Sequence, residues 1–138
     1  MENEFDLELL EADGPFYIGK CTSLVIPTTD GSIGIQAHHY NMIAAIVPGT
    51  IKFTRPDGTR DHAAVSGGFL KVENNSVLIL ADSLERPEEI DRERAEEEYK
   101  LAAAELLEMR SLAEYKKAQA QMARAVNRLK VKLKYDNK

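Results

Sequence analysis

Apolar and polar residues alternate along the first part of the chain in short runs, each closed by turn-forming residues. Phe5, Leu7 and Leu9 alternate with Asp6 and Glu8, the period of a strand buried on one face. Ala12-Asp13-Gly14-Pro15 breaks that run. Leu24 and Ile26 lie in an apolar stretch that ends at Pro27, followed by a turn over Thr28-Thr29-Asp30-Gly31. Ile33-Gly34-Ile35 opens another segment, and Met42 to Val47 stays apolar up to Pro48-Gly49. Ile51 and Phe53 alternate with Thr50, Lys52 and Thr54 before Arg55-Pro56-Asp57-Gly58, where proline presets φ and glycine accepts the left-handed position of a hairpin turn. Ala63 to Val65, Phe69 to Val72 and Val77 to Ala81 complete the set, separated by Ser66-Gly67-Gly68 and Glu73-Asn74-Asn75-Ser76. Many short strands with regular turns predict an antiparallel β-sandwich over residues 1–84.

The period changes at Pro87. Proline followed by Glu88 and Glu89 suits a helix start, where the missing N–H is not needed and carboxylates face the dipole. No glycine or proline follows. Ala95, Tyr99, Ala102, Leu106 and Met109 share one helical face, and Leu112, Tyr115, Ala118, Met122, Val126, Leu129 and Leu133 continue the stripe. Ser111-Leu112-Ala113-Glu114 has the form of a capping box that would restart a helix after a short turn. Residues 85–138 are therefore expected to form a two-helix antiparallel hairpin. Nothing between Met109 and Leu112 forbids one continuous helix, so an extended form stays open alongside the hairpin.

Composition adds limits. With 43% hydrophobic and 30% charged residues the chain is an ordinary folded protein. No apolar run approaches the ~20 residues of a membrane span, and the acidic start Met1-Glu2-Asn3-Glu4 is neither a secretory signal nor a basic transit peptide. The single cysteine, Cys21, allows no internal disulfide and fits a reducing compartment. A net charge of −5 disfavours nucleic acid or direct insertion into an anionic lipid surface. Its distribution is more telling: residues 1–84 and 85–109 each carry a net −6, whereas residues 110–138 carry +7. A basic segment behind two acidic ones points to an electrostatic partner.

Catalytic chemistry finds little support. His38 and His39 are adjacent and would point to opposite faces of a strand, so with His62 they read as surface or loop residues rather than metal ligands. Cys21 reads as a half-buried small side chain. Ser66-Gly67-Gly68 lacks a nucleophile elbow, and its glycines mark a bulge or a close backbone approach. No catalytic set and no metal site is expected. The helices are different. Asp91 and Arg94 share a face of the first, and Arg124 and Arg128 share a face of the second. Packed together, they would bring guanidinium groups and a carboxylate to one place, a chemistry suited to phosphate and ribose or adenine. The plainer reading is a solvated basic face.

Taken in order, Gly31-Ser32-Ile33-Gly34-Ile35, His39, Pro48-Gly49 and Ser66-Gly67-Gly68-Phe69-Leu70-Lys71-Val72 resemble the epsilon subunit of bacterial F-type ATP synthases. Leu80-Ala81-Asp82, Ile90-Asp91-Arg92-Glu93-Arg94-Ala95 and Arg124-Ala125-Val126-Asn127-Arg128-Leu129 extend the resemblance to nearly the whole chain. The family often has Pro-Gly-His where this chain has Ala37-His38-His39, and an acidic residue where Ser32 stands. The resemblance implies a ten-stranded sandwich that docks on the gamma subunit and the membrane rotor ring. It implies helices that inhibit ATP hydrolysis when extended towards the catalytic beta and alpha subunits. It implies a non-catalytic rotor subunit, peripheral on the cytoplasmic face of the bacterial plasma membrane. It also implies ATP as a regulatory ligand held by Glu85, Ile90, Asp91, Arg94, Ala95, Arg124 and Arg128. ATP-binding members often carry another basic residue ten positions after the aspartate, where this chain has Leu101. A free-standing adaptor that binds an unrelated coiled coil is the alternative, which co-purification with ATP synthase would separate.

Overall fold

The computed structural model describes residues 3–108 and 111–135. Of the positions used above, Met1, Glu2 and Met109 lie outside the described residues. The chain divides into two compact units, Met1–Glu85 and Arg86–Lys138.

The first unit is a β-sandwich of ten strands: β1 (Phe5–Glu11), β2 (Gly14–Cys21), β3 (Ser23–Thr28), β4 (Gly31–Ile35), β5 (Met42–Ile46), β6 (Gly49–Thr54), β7 (Arg60–Val65), β8 (Gly68–Glu73), β9 (Ser76–Ala81) and β10 (Leu84–Glu85). They run in the order β10-β7-β6-β3-β5-β8-β9-β1-β2, with β4 paired to β3. Only one residue pair, Thr28 with Ile46, joins β3 to β5, and the Val47 N–H donates to the Pro27 carbonyl at 3.1 Å beside it. The sheet turns this corner to make its two layers. Alternation supplies the core: Phe5, Leu7 and Leu9 of β1, Ile51 and Phe53 of β6, Leu70 and Val72 of β8, and Val77 and Ile79 of β9 are all buried. Their neighbours Asp6, Glu8, Lys52 and Lys71 are exposed.

Three local findings differ from the sequence expectations. Pro27 lies inside β3, opposite Ser32, rather than ending it. The turn after β1 falls at Ala12-Asp13, within the expected break, but strand β2 then starts inside that break at Gly14 and covers a segment to which no strand was assigned. Among the described residues it pairs only with β1, through a register shift at Leu9/Leu10, and as an edge strand it tolerates Pro15 and lacks a clean alternation. Cys21 is fully buried rather than half-buried, its thiol donating to the Ser23 carbonyl at 3.0 Å. Burial pushes the Cys21 thiol above its ordinary range, so it stays protonated and inert.

The turns follow their chemistry. The Gly58 N–H donates to the Arg55 carbonyl at 2.9 Å, and Gly58 takes φ of +91°. Asn74 and Asn75 both take positive φ in the β8–β9 hairpin, the requirement of a two-residue turn that matches strand twist. His38 and His39 sit in a turn between β4 and β5 rather than on a strand. His38 itself adopts φ of 65°, and its N–H donates to Asn75 Oδ1 at 2.7 Å.

In the second unit a 3-10 turn over Pro87–Glu89 precedes α1 (Arg92–Glu108) and α2 (Leu112–Tyr135). The α-helix thus starts five residues after Pro87, because Asp91 is its cap: Asp91 Oδ1 accepts the Arg94 N–H at 3.2 Å, and its carbonyl accepts the Ala95 N–H at 3.0 Å. Ser111 caps α2 by accepting the Glu114 N–H at 3.1 Å. The helices pack side by side as a hairpin.

Their buried seam keeps Ala95, Ala102 and Ala118 of the expected stripe and departs from it elsewhere. Ala95, Ala102, Ala118, Ala125 and Val131 are buried, while Tyr99, Leu112 and Leu133 are exposed. Close approach of two helices selects the smallest side chains for the contact line, which displaces the larger ones to its margins. The six methyl groups of these five side chains, at about 0.8 kcal/mol each, contribute only about 5 kcal/mol. This is a weakly held pair.

Candidate functional site

Helix geometry and one carboxylate assemble the charged cluster of the second unit. Arg94 and Glu98 lie one turn apart on α1, a spacing that places both on the same face. Arg94 Nε stands 3.3 Å from Glu98 Oε1. From the facing helix, Arg128 Nη1 donates to Glu98 Oε2 at 2.8 Å. Each oxygen of Glu98 thus takes one guanidinium, one from each helix. The Arg128 side chain is only 17% exposed, against 42% for Glu98 and 73% for Arg94. A largely desolvated guanidinium needs an anion beside it, and here Glu98 is that anion.

The other expected contacts fall into distinct places. Asp91 is exposed at the start of α1, where its carboxylate is used as the helix cap. Ile90 and Ala95 are buried, flanking Asp91 and Arg94 in sequence. Arg124 is exposed one turn before Arg128. Glu85 belongs to the first unit, on β10 opposite Ala64. Leu101 is exposed on α1. Glu98 was missed by sequence reasoning, although its spacing from Arg94 was visible; only the fold reveals Arg128 as its second partner. A neighbouring ion pair, Arg92 with Glu96 at 3.1 Å, stays within α1.

The sandwich carries a second feature. Phe69 of β8 lies between Ala45 of β5 and Leu80 of β9 in the ladder, and Leu80 faces Leu10 of β1. Two residues along, Ile43, Lys71, Leu78, Glu8 and Ile18 form a parallel row. Ile18, Ile43, Phe69 and Leu80 are all exposed. These apolar side chains share one sheet face, a candidate contact surface. Among the described residues, no group of three His, Cys, Asp or Glu side chains could hold a metal ion, and no helix is long and apolar enough to cross a membrane.

Comparison with known proteins identifies both units. Residues 4–87 match the beta-sandwich domain of the ATP synthase delta/epsilon chain, and residues 88–132 match its long alpha-helix domain. The ATP synthase epsilon chain of Caldicellulosiruptor bescii is 39% identical over 128 residues, 93% of either chain. That of Caldanaerobacter subterraneus subsp. tengcongensis is 36% identical over 135 residues, 98% of either chain. Among solved structures, a chain of the Euglena gracilis mitochondrial ATP synthase OSCP/F1/c-ring assembly superposes with a TM-score of 0.79. It is 22% identical, with 90% of this chain and 78% of that one covered, so it speaks for the fold alone. Two matched domains in the same order and full-length bacterial relatives lead to one assignment: the chain belongs to the epsilon chains of the ATP synthase delta/epsilon family, non-catalytic subunits of that enzyme.

Proposed function

We propose that this chain is a central-stalk subunit of ATP synthase that joins the gamma subunit to the membrane rotor ring and restrains ATP hydrolysis through its helices. Its place is the cytoplasmic face of the plasma membrane. The exposed rows around Phe69, Leu80 and Ile43 supply the apolar surface with which the sandwich docks on gamma. The Ala-lined seam, worth about 5 kcal/mol, leaves the hairpin free to open towards the alpha and beta subunits. ATP acts on that equilibrium as a signal.

One observation carries the ligand reading: Arg94 and Arg128, from different helices, converge on a single anionic group. In one continuous helix Arg94 and Arg128 would stand about 51 Å apart at 1.5 Å per residue. A ligand that touches both therefore favours the hairpin, by as much as its affinity for the two forms differs. Asp91, Arg124, Ile90 and Ala95 complete the proposed contacts within the second unit, the carboxylate accepting from ribose or adenine and the arginines meeting phosphate oxygens.

Calorimetric titration of the subunit with ATP tests this. Arg128→Ala and Arg124→Ala should each weaken binding about 10- to 100-fold, the loss expected for a hydrogen bond to a charged group. No heat at millimolar ATP would reduce the cluster to an interhelical ion pair. Unchanged binding in both variants would move the site elsewhere. Co-purification with gamma tests the docking reading separately.

A further inference from the structure

We propose that Glu98 sets the affinity of this site by acting as an internal anion: its carboxylate holds Arg94 and Arg128 in place of phosphate, and an anionic ligand binds by displacing it. The inference rests on the ATP reading of the hairpin given above. Carboxylate and phosphate offer guanidinium groups the same kind of oxygen pair, so one substitutes for the other at a pair of arginines. Glu98 uses both oxygens, one per helix, at 3.3 Å and 2.8 Å. It is therefore filling the bridging position a phosphate would take, not merely passing near it.

Glu98 is also free to leave. Its side chain is 42% exposed, and a staggered rotamer change carries a glutamate head towards solvent without moving the backbone. Arg128, at 17% exposure, has no such freedom and waits for whichever anion occupies the gap. Two consequences follow for binding. Phosphate must break both contacts of Glu98, and the displaced carboxylate then repels it from nearby. Removing the charge removes both penalties.

The test is calorimetric titration of the full chain and of Glu98→Gln with ATP and with inorganic tripolyphosphate. Glu98→Gln should bind each about fivefold more tightly, equal to ~1 kcal/mol. Adenosine, which has no phosphate, should bind both proteins alike. Glu96→Gln is the control: it removes one negative charge from the same helix, but its partner is Arg92, so affinity should stay at the native value. A merely structural role for Glu98 would weaken binding or leave it unchanged.

If the native chain binds ATP and Glu98→Gln, with its helix content intact by circular dichroism, binds no more tightly, the competition is wrong and the ATP reading stands. If neither protein binds ATP, both fail. Binding by Glu98→Gln alone would confirm the competition and show that the native site is self-blocked. Should Glu98→Gln lose helix content, Glu98→Asp decides. It keeps the charge on α1 but is one methylene too short to bridge, so a smaller gain in the same direction is expected, and no gain overturns the proposal.

Discussion

Gly68→Ala should lower the midpoint of thermal unfolding of the sandwich by more than about 12 °C, from a loss of about 3 kcal/mol at 4–8 °C per kcal/mol for a domain of this size. Gly68 is bonded into the middle of one layer, paired with Ile46 on one side and Ala81 on the other. A Cβ there would overlap the Leu80 carbonyl oxygen and lie 2.8 Å from the Ala81 Cα. Both obstacles are backbone, which cannot rotate away. Its φ of +151° adds a conformation that L side chains rarely adopt. Two other glycines separate these causes. Gly14 has φ of +130° but open space around a would-be Cβ, so Gly14→Ala should cost only the backbone strain, about 1–2 kcal/mol. Gly34 has open space and no left-handed φ, so Gly34→Ala should be nearly neutral. If Gly68→Ala melts with Gly34→Ala, the close approach of β8 to β9 is not the reason for the second glycine of Ser66-Gly67-Gly68.

That motif shows what the sequence could and could not reveal. Paired glycines between apolar runs announced a bulge or a close backbone approach; the structure has the close approach at Gly68 and names the neighbour, β9 at Leu80 and Ala81. Alternation located the strands whose one face is buried, from β1 through β9. It failed at β2, where Phe16 and Tyr17 are both half-buried and Ile18 is exposed, because an edge strand has no strict inside and outside. It failed at β10, two residues long, which exists only through its pairing with β7. The helical stripe was misjudged at Leu112 and Leu133 for a different reason: periodicity weights large side chains, whereas the seam runs through alanines. At the charged cluster, Arg94 and Arg128 were legible as helical-face arginines, yet their common partner was not. A contact between residues 98 and 128 depends on the register of two helices, and no local pattern fixes that register.

The two-unit division leads to the largest functional expectation. A chain ending at Glu85 should fold, bind the gamma subunit and support ATP synthesis, while hydrolysis by the reconstituted enzyme should lose its restraint by this subunit. The folding part follows from the core, whose buried cluster is drawn from residues between Phe5 and Leu84. The docking part follows from the exposed apolar rows, which lie wholly on β1, β2, β5, β8 and β9. On the proposed reading the loss of restraint follows from charge: residues 110–138 hold a net +7, cations that an acidic partner surface would match. A milder change isolates that term. Replacing Lys130, Lys132 and Lys134 with Gln in the full chain removes three of those charges without shortening α2. At about 0.5 kcal/mol for each partly exposed contact, the inhibited state should lose ~1.5 kcal/mol, roughly tenfold in its population. Exposed charges are screened by salt, so the gain in hydrolysis should shrink as ionic strength rises. A truncated chain that fails to fold would refute the division at Glu85. Full inhibition retained by the Lys→Gln variant at low salt would refute the electrostatic account, leaving the apolar margin of α2 as the inhibitory contact.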